Sequence, residues 1–155
     1  MISTARSGAS PAHEAAALDL RVEGPEARGV TDADIRRLFP ARSAGDRLNR
    51  LRNWPRIVVR IDDVPVGVAT FTQTPIEMQI PDFAVDIPPV LDVDHGNVRP
   101  QIISTLLEAI EIAALAAGCR RIVIIPSGGP ADFSRRGYLS VSEGCGGSWM
   151  EKCLL

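Results

Sequence analysis

Residues 100–126 read PQIISTLLEAIEIAALAAGCRRIVIIP, and the fold is decided there. Ile102, Ile103, Leu106, Leu107, Ile110, Ala113, Ala114 and Ala117 recur at helical spacing and make one wide apolar stripe. Gln101, Ser104, Thr105, Glu108 and Glu111 take much of the other side. Pro100 suits a first helical position, where a missing N–H costs nothing. Gly118 suits the position just past the end, where the chain turns left-handed. The spacing therefore predicts a helix over Pro100–Ala117. The run from Arg121 to Pro126 is rich in β-branched residues and bounded by proline, which predicts a buried strand. A long helix feeding a buried strand is a scaffold for ligands, and the start of such a helix favours an anion.

Around this stretch the totals exclude several classes. A chain of 155 residues with 45% hydrophobic residues is long enough for a real core. A net charge of −2 offers no basic field for nucleic acid. No apolar run reaches the roughly 18 residues of a membrane span. Residues 1–16 are small and polar without an apolar signal region, so they read as a flexible tail ahead of a single domain over 17–155. Cys119, Cys145 and Cys153 are odd in number, lack metal-site spacing and fit a reducing cytosol, which predicts a cytoplasmic protein.

Toward the N-terminus, Leu18, Leu20 and Val22 alternate as the inward side of a first strand. Thr31 then caps a helix whose first turn carries Asp32 and Asp34, and Pro40 ends it. A short helix is expected from about Ser43 to Arg52. The arginines of this region (36, 37, 42, 47, 50, 52, 56 and 60) read as solvated faces balanced in part by Asp32, Asp34 and Asp46. Arg56–Ile61 and Val66–Thr72 form a hairpin around Asp62-Asp63-Val64-Pro65. Gly67 and Ala69 are small, which reads either as room on one face for something large or as a twisted strand. A strand over Ile76–Val85 follows, with Pro81 as a bulge or edge. Beyond residue 126 come one or two helical turns over Ala131–Arg136, a cap at Gly137, and closing strands at Tyr138–Glu143 and Ser148–Leu154.

This order resembles the GNAT superfamily of acyl-CoA-dependent N-acyltransferases over about Leu18–Leu154. Three places carry the resemblance. The stretch Arg60–Phe71, RIDDVPVGVATF, is similar to a family hairpin of the kind DGxxVGxA. Pro81–Asp86, PDFAVD, is similar to a fourth strand ending in VDP. Phe133–Tyr138 and Ser148–Leu154 are similar to YxxxGF and to a final MxKxL strand. The resemblance implies an α/β fold with a mixed, twisted sheet flanked by helices. It also implies acetyl-CoA or another acyl-CoA as co-substrate, entering where the fourth and fifth strands splay. The pyrophosphate would meet backbone N–H groups before the long helix. Val85, Ile87, Gly96, Asn97, Val98, Arg99, Gln101 and Ile102 are the candidate cofactor-binding residues. The acceptor would be a small-molecule or peptide amine, and the hairpins or last strands could form a homodimer.

The chain departs from that pattern twice. The family's Q/R-x-x-G-x-G/A loop falls on Val98, Gln101 and Ile103, without either glycine. The tyrosine that protonates the leaving thiolate falls on Phe133, and Tyr138, the only tyrosine, falls on a position packed in the core. The fourth strand ends either at Asp86, leaving a long loop, or at Leu91–Asp94; the hairpin spacing favours the first. Glu77 and Asp82 are alternative catalytic bases. Strict alternation puts them on opposite faces, unless a bulge at Pro81 changes the phase. His95 is an exposed loop histidine with a base as its functional alternative. Asp92, Asp94 and His95 are too nearly adjacent to converge on a metal, and none is expected. A catalytically degenerate GNAT-like binding or regulatory module is the alternative to an enzyme.

Overall fold

The computed structural model describes residues 20–24, 29–39, 50–125, 131–143 and 147–154. The elements in chain order are β1 (Leu20–Glu23), α1 (Asp32–Leu38), β2 (Arg56–Ile61), β3 (Val64–Gln73), β4 (Glu77–Val85), α2 (His95–Ala116), β5 (Arg121–Ile124), α3 (Ala131–Ser134), β6 (Leu139–Glu143) and β7 (Gly147–Cys153). They build one seven-stranded sheet in the order β1-β2-β3-β4-β5-β7-β6. Only β4 and β5 run parallel; the other neighbours are antiparallel. The expected α/β architecture with a mixed sheet is thus the one observed. The expected tail over 1–16, Cys145 and most of the Ser43–Arg52 helix lie outside the described residues, although residues 50–53 are helical.

Two helices cover the two faces. The long helix α2 buries Val98, Ile102, Ile103, Leu106, Leu107, Ile110 and Ala114 against a core that includes Val59, Val66, Met78, Ile80 and Ile122. Each buried Val, Leu or Ile among them contributes on the order of 1.5–3 kcal/mol through the apolar area it removes from water. Gly67 lets helix and sheet approach: a Cβ there would meet Ile102 Cγ2 at 3.0 Å and Leu106 Cδ2 at 3.4 Å. The large neighbour expected over Gly67 is therefore α2. On the opposite face, Ile35 and Leu38 of α1 pack with Leu51, Val58, Val68 and Ala84. Thr31 caps α1 in a full capping box with Asp34. Val22, expected inward, is 45% exposed, because β1 is an edge strand at the margin of the core that α2 covers.

Helix α2 starts earlier than expected. Asp94, not the residue before Pro100, is the N-cap, and Pro100 lies inside the helix. An aspartate cap satisfies orphan N–H groups that the sequence around Pro100 leaves open. The end is as expected. Gly118 has φ +82°, its N–H reaches Leu115 O at 3.0 Å, and Cys119 N–H reaches Ala114 O at 2.9 Å. That pair of bonds is a Schellman motif, and it delivers the chain directly into β5.

Candidate active site

Among the described residues, β4 and β5 pair at Glu77–Arg121, Met78–Ile122, Gln79–Val123 and Ile80–Ile124, with one further bond from Ile125 N–H to Ile80 O at 3.1 Å. Beyond Ile80, β4 keeps β3 as its partner up to Val85, and among the described residues no β5 pairing continues on its other side. Which backbone groups face that gap follows from the ladder. Asp86 N–H donates to Val66 O at 2.9 Å, so the pairs 66/86 and 68/84 are hydrogen-bonded and the pairs 67/85 and 69/83 are not. The peptide groups of Phe83 and Val85 therefore point away from β3, toward the β5 side. Arg99, on the second turn of α2, donates from Nη1 to Val85 O at 2.9 Å. Two expected cofactor residues, Val85 and Arg99, thus meet at the mouth of the gap.

The bulge anticipated at Pro81 is present. Thr70 pairs with Asp82 but Thr72 with Gln79, so β4 carries one more residue than β3 between those pairs. The phase changes there. Met78, Ile80 and Phe83 all face the α2 core, whereas Ala84 faces the α1 core. Strict alternation is thereby corrected: Asp82 joins Glu77 on the face away from α2, and Phe83 leaves it. The two carboxylates remain apart along the strand, by about 15 Å at ordinary strand rise. Glu77, at the closed end, accepts from Gln79 Nε2 at 2.6 Å and from Arg121 Nε at 2.9 Å. These bonds hold its carboxyl below the usual range, against the opposing effect of burial. Asp82 stands where β4 leaves β5. Its side chain is fully buried and accepts from Arg50 Nε at 2.9 Å, Arg50 Nη2 at 3.0 Å and Thr70 Oγ1 at 2.6 Å.

The tip of α2 is built differently from the expectation of an open backbone nest. Asp94 Oδ1 accepts from Gly96 N–H at 3.1 Å, and Asp94 Oδ2 accepts from Asn97 Nδ2 at 2.7 Å. Asn97 N–H and Val98 N–H both turn to Asp94 O. A carboxylate therefore already occupies the positive end of the helix. Val98, Gln101 and Ile103, the positions of the family loop, are helical residues. Val98, Ile102 and Ile87 are buried in the core, and Gln101 donates from Nε2 to Asn97 O at 3.2 Å. Leu91 is buried in the same core and Val93 packs against it, while Val90 is 81% exposed. β4 ends at Val85, so the long-loop register is the observed one, and His95 is the first residue of α2 rather than a loop residue.

No aromatic acid faces the gap. Phe133 is buried, with its ring 5.0 Å from that of Phe83. Tyr138, also buried, donates its hydroxyl to Glu111 Oε2 at 3.1 Å. Burial and the neighbouring Glu111 charge push its phenol far above the usual value. Glu111 also binds Arg136 Nη2 at 2.9 Å and Lys152 Nζ at 3.2 Å. Sequence reading identified neither this network nor the Arg50–Asp82 pair, since both join residues at least 25 positions apart or link side chains through the fold. Asp94 was legible as a cap, because Asp before a helical run is a standard start signal. Among the described residues, no group of three His, Cys, Asp or Glu side chains is placed to hold a metal, and no helix is long and apolar enough to cross a membrane.

No protein-family model and no curated protein sequence matches the chain. Solved structures do match its fold. The N-acetylglutamate synthase of Neisseria gonorrhoeae, solved with coenzyme A and N-acetyl-glutamate, aligns with a TM-score of 0.62 at 16% identity, over 88% of this chain and 35% of that one. This chain thus spans about a third of the synthase. A GNAT family acetyltransferase of Elizabethkingia anophelis, solved with acetyl-CoA, aligns at 0.60 and 12% identity, over 87% and 98%. Ard1 of Thermoplasma volcanium aligns at 0.59 and 16% identity, over 90% and 99%. The fold is that of the GNAT acetyltransferases.

Proposed function

We propose that the protein is an acyl-CoA-dependent N-acyltransferase that uses the opening between β4 and β5. The single observation that carries this reading is the parting of the two strands: among the described residues β4 and β5 pair from Glu77–Arg121 to Ile80–Ile124, while β4 runs on beside β3 to Val85. The place where two strands part is a recognition site for an extended amide-bearing ligand. Structural neighbours of the same fold were solved with acetyl-CoA or coenzyme A, which supports that ligand as the co-substrate.

An acyl thioester supplies an activated carbonyl, which an amine attacks; the C–N bond forms, the C–S bond breaks, and the thiol leaves. In this chain the end of β4 around Val85 would align the amide-bearing arm, and Arg99, bonded to Val85 O, would stand at the mouth of the gap. Gly96 and Asn97 would border it at the helix tip, with Ile87, Val98, Gln101 and Ile102 fixing the helix and loop behind. Asp82 is the base we assign, because it lies at the vertex of the gap and Arg50 and Thr70 fix its orientation. Glu77, tied to Arg121 at the closed end of β4, holds the strand pair. The thiolate takes its proton from water, since Phe133 has none to give and the Tyr138 hydroxyl is committed to Glu111. The acceptor is an amine on a small molecule or a peptide.

A release assay tests this. Acetyl-CoA with a panel of amino acids, polyamines and peptides should yield free thiol only when protein and an accepting amine are both present. The Asp82→Asn variant, checked for folding by its thermal transition, should lose about 100-fold or more in rate, the usual worth of a positioned base. Glu77→Gln should keep most of the rate. No amine-dependent thiol with any acceptor would refute transfer. One observation favours a second reading, a binding module without transfer: the Asp94 carboxylate caps the helix tip and Leu91 anchors the preceding loop in the core. That reading predicts ligand binding with no thiol release.

A further inference from the structure

A cleft of about 230 Å³ lies beside the first turns of α2, lined by Pro100, Ile103, Ser104, Arg135 and Arg136. Its floor is apolar and its wall is cationic. Arg136 is fixed there by Glu111 and by Ser104, whose Oγ takes its Nη1 at 3.2 Å. Arg135 is exposed, and no carboxylate among the described residues pairs with it. An arginine fork without a partner, next to a second arginine held rigid and a serine hydroxyl, is a phosphate-binding arrangement. The volume is below the roughly 300–1,000 Å³ of a pocket for a whole drug-sized ligand, so the cleft fits one end of a larger molecule.

The helix tip makes the opposite case. Asp94 presents its carboxylate to the Gly96 N–H, where an incoming phosphate would need that donor and would meet a like charge. Helical Val98, Gln101 and Ile103 spend their N–H groups within α2, so no backbone nest replaces it. We propose that this chain holds the phosphate end of a nucleotide-bearing ligand in the arginine cleft between α2 and the α3–β6 turn, with Arg135 as the direct anion contact, rather than on the helix tip. The ligand class is a phosphorylated nucleotide such as the 3′,5′-bisphosphate end of coenzyme A. The choice of coenzyme A rests on the proposed transferase reading; the cleft itself does not.

Three titrations by calorimetry on the full chain separate the two. Adenosine 3′,5′-bisphosphate probes the cleft alone, S-acetylpantetheine probes the strand gap alone, and coenzyme A probes both. The bisphosphate should bind the wild-type protein, weaken with rising salt, and lose at least tenfold in affinity in Arg135→Glu. Coenzyme A should lose a similar factor in that variant, whereas S-acetylpantetheine should bind both proteins equally, which also shows the variant to be folded. Failure of the bisphosphate to bind the wild type, or equal binding to Arg135→Glu, overturns the cleft. Bisphosphate and coenzyme A binding that is lost in the variant while its thermal transition is unchanged, without binding of S-acetylpantetheine, upholds the cleft and removes the strand gap as the thioester site.

Discussion

Asp62 and Asp63 hold φ values of +49° and +68°, the left-handed pair that a two-residue type I′ hairpin demands. Aspartate tolerates that region less well than glycine. Asp62→Gly should therefore raise stability by about 0.5 kcal/mol in denaturant unfolding; a lower midpoint would show that Asp62 has a role beyond the turn. The pair was legible in sequence as a turn, because two aspartates between β-branched runs have few other readings. Glu111 was not legible, because its partners Arg136, Tyr138 and Lys152 come from other elements. Burial pushes the Glu111 carboxyl up, but hydrogen bonds from Arg136, Lys152 and Tyr138 outweigh it and leave it below its ordinary 4.5. A carboxyl depressed in the folded state contributes stability above the unfolded value, and that contribution fades as pH falls through the folded one. Stability should therefore fall more steeply with acid below about pH 4.5 in the wild type than in Glu111→Gln. Parallel pH profiles would mean that the carboxyl binds protons equally in both states.

At the scale of an element, α2 shows where pattern reading succeeds and where it stops. Its apolar stripe and its glycine stop follow from sequence alone, since both depend on spacing and on one backbone angle. Its start depends on a competition between a proline that suits the first turn and an aspartate that caps. The cap wins, and Pro100 is left inside the helix with no N–H to offer Gly96 O. Pro100→Ala should restore that bond and stabilise the chain by about 1–3 kcal/mol, read as a higher thermal midpoint; a lower one would mean that the proline ring is packed tightly in the cleft. Packing gives the converse case at Gly67. A methyl group there meets Ile102 at 3.0 Å, so Gly67→Ala should cost about 1–3 kcal/mol by forcing helix and sheet apart. Unchanged stability would show that α2 can shift without loss.

Across the whole molecule, the sheet divides into a closed half and an opened one. The bulge at Pro81 turns Asp82 onto the same face as Glu77, and among the described residues the β4–β5 pairing stops just before it. A proline in a strand signals a bulge, but which residue changes face depends on register, and register is set by the partner strands. The fold was thus readable from the order of elements, while the site was readable only in part. Val85 and Arg99, distant in sequence, meet through the fold, Asp94 is a local cap signal, and the arginine cleft emerges only when distant segments are brought together. The central claim is that the opened half receives an acyl thioester, and its most direct measurement is a calorimetric and thermal-shift titration of acetyl-CoA into the full chain. The account predicts saturable binding, with a rise in unfolding free energy of about 2.7 kcal/mol once the ligand reaches 100 times its dissociation constant. No heat of binding and no thermal shift at millimolar acetyl-CoA would contradict it.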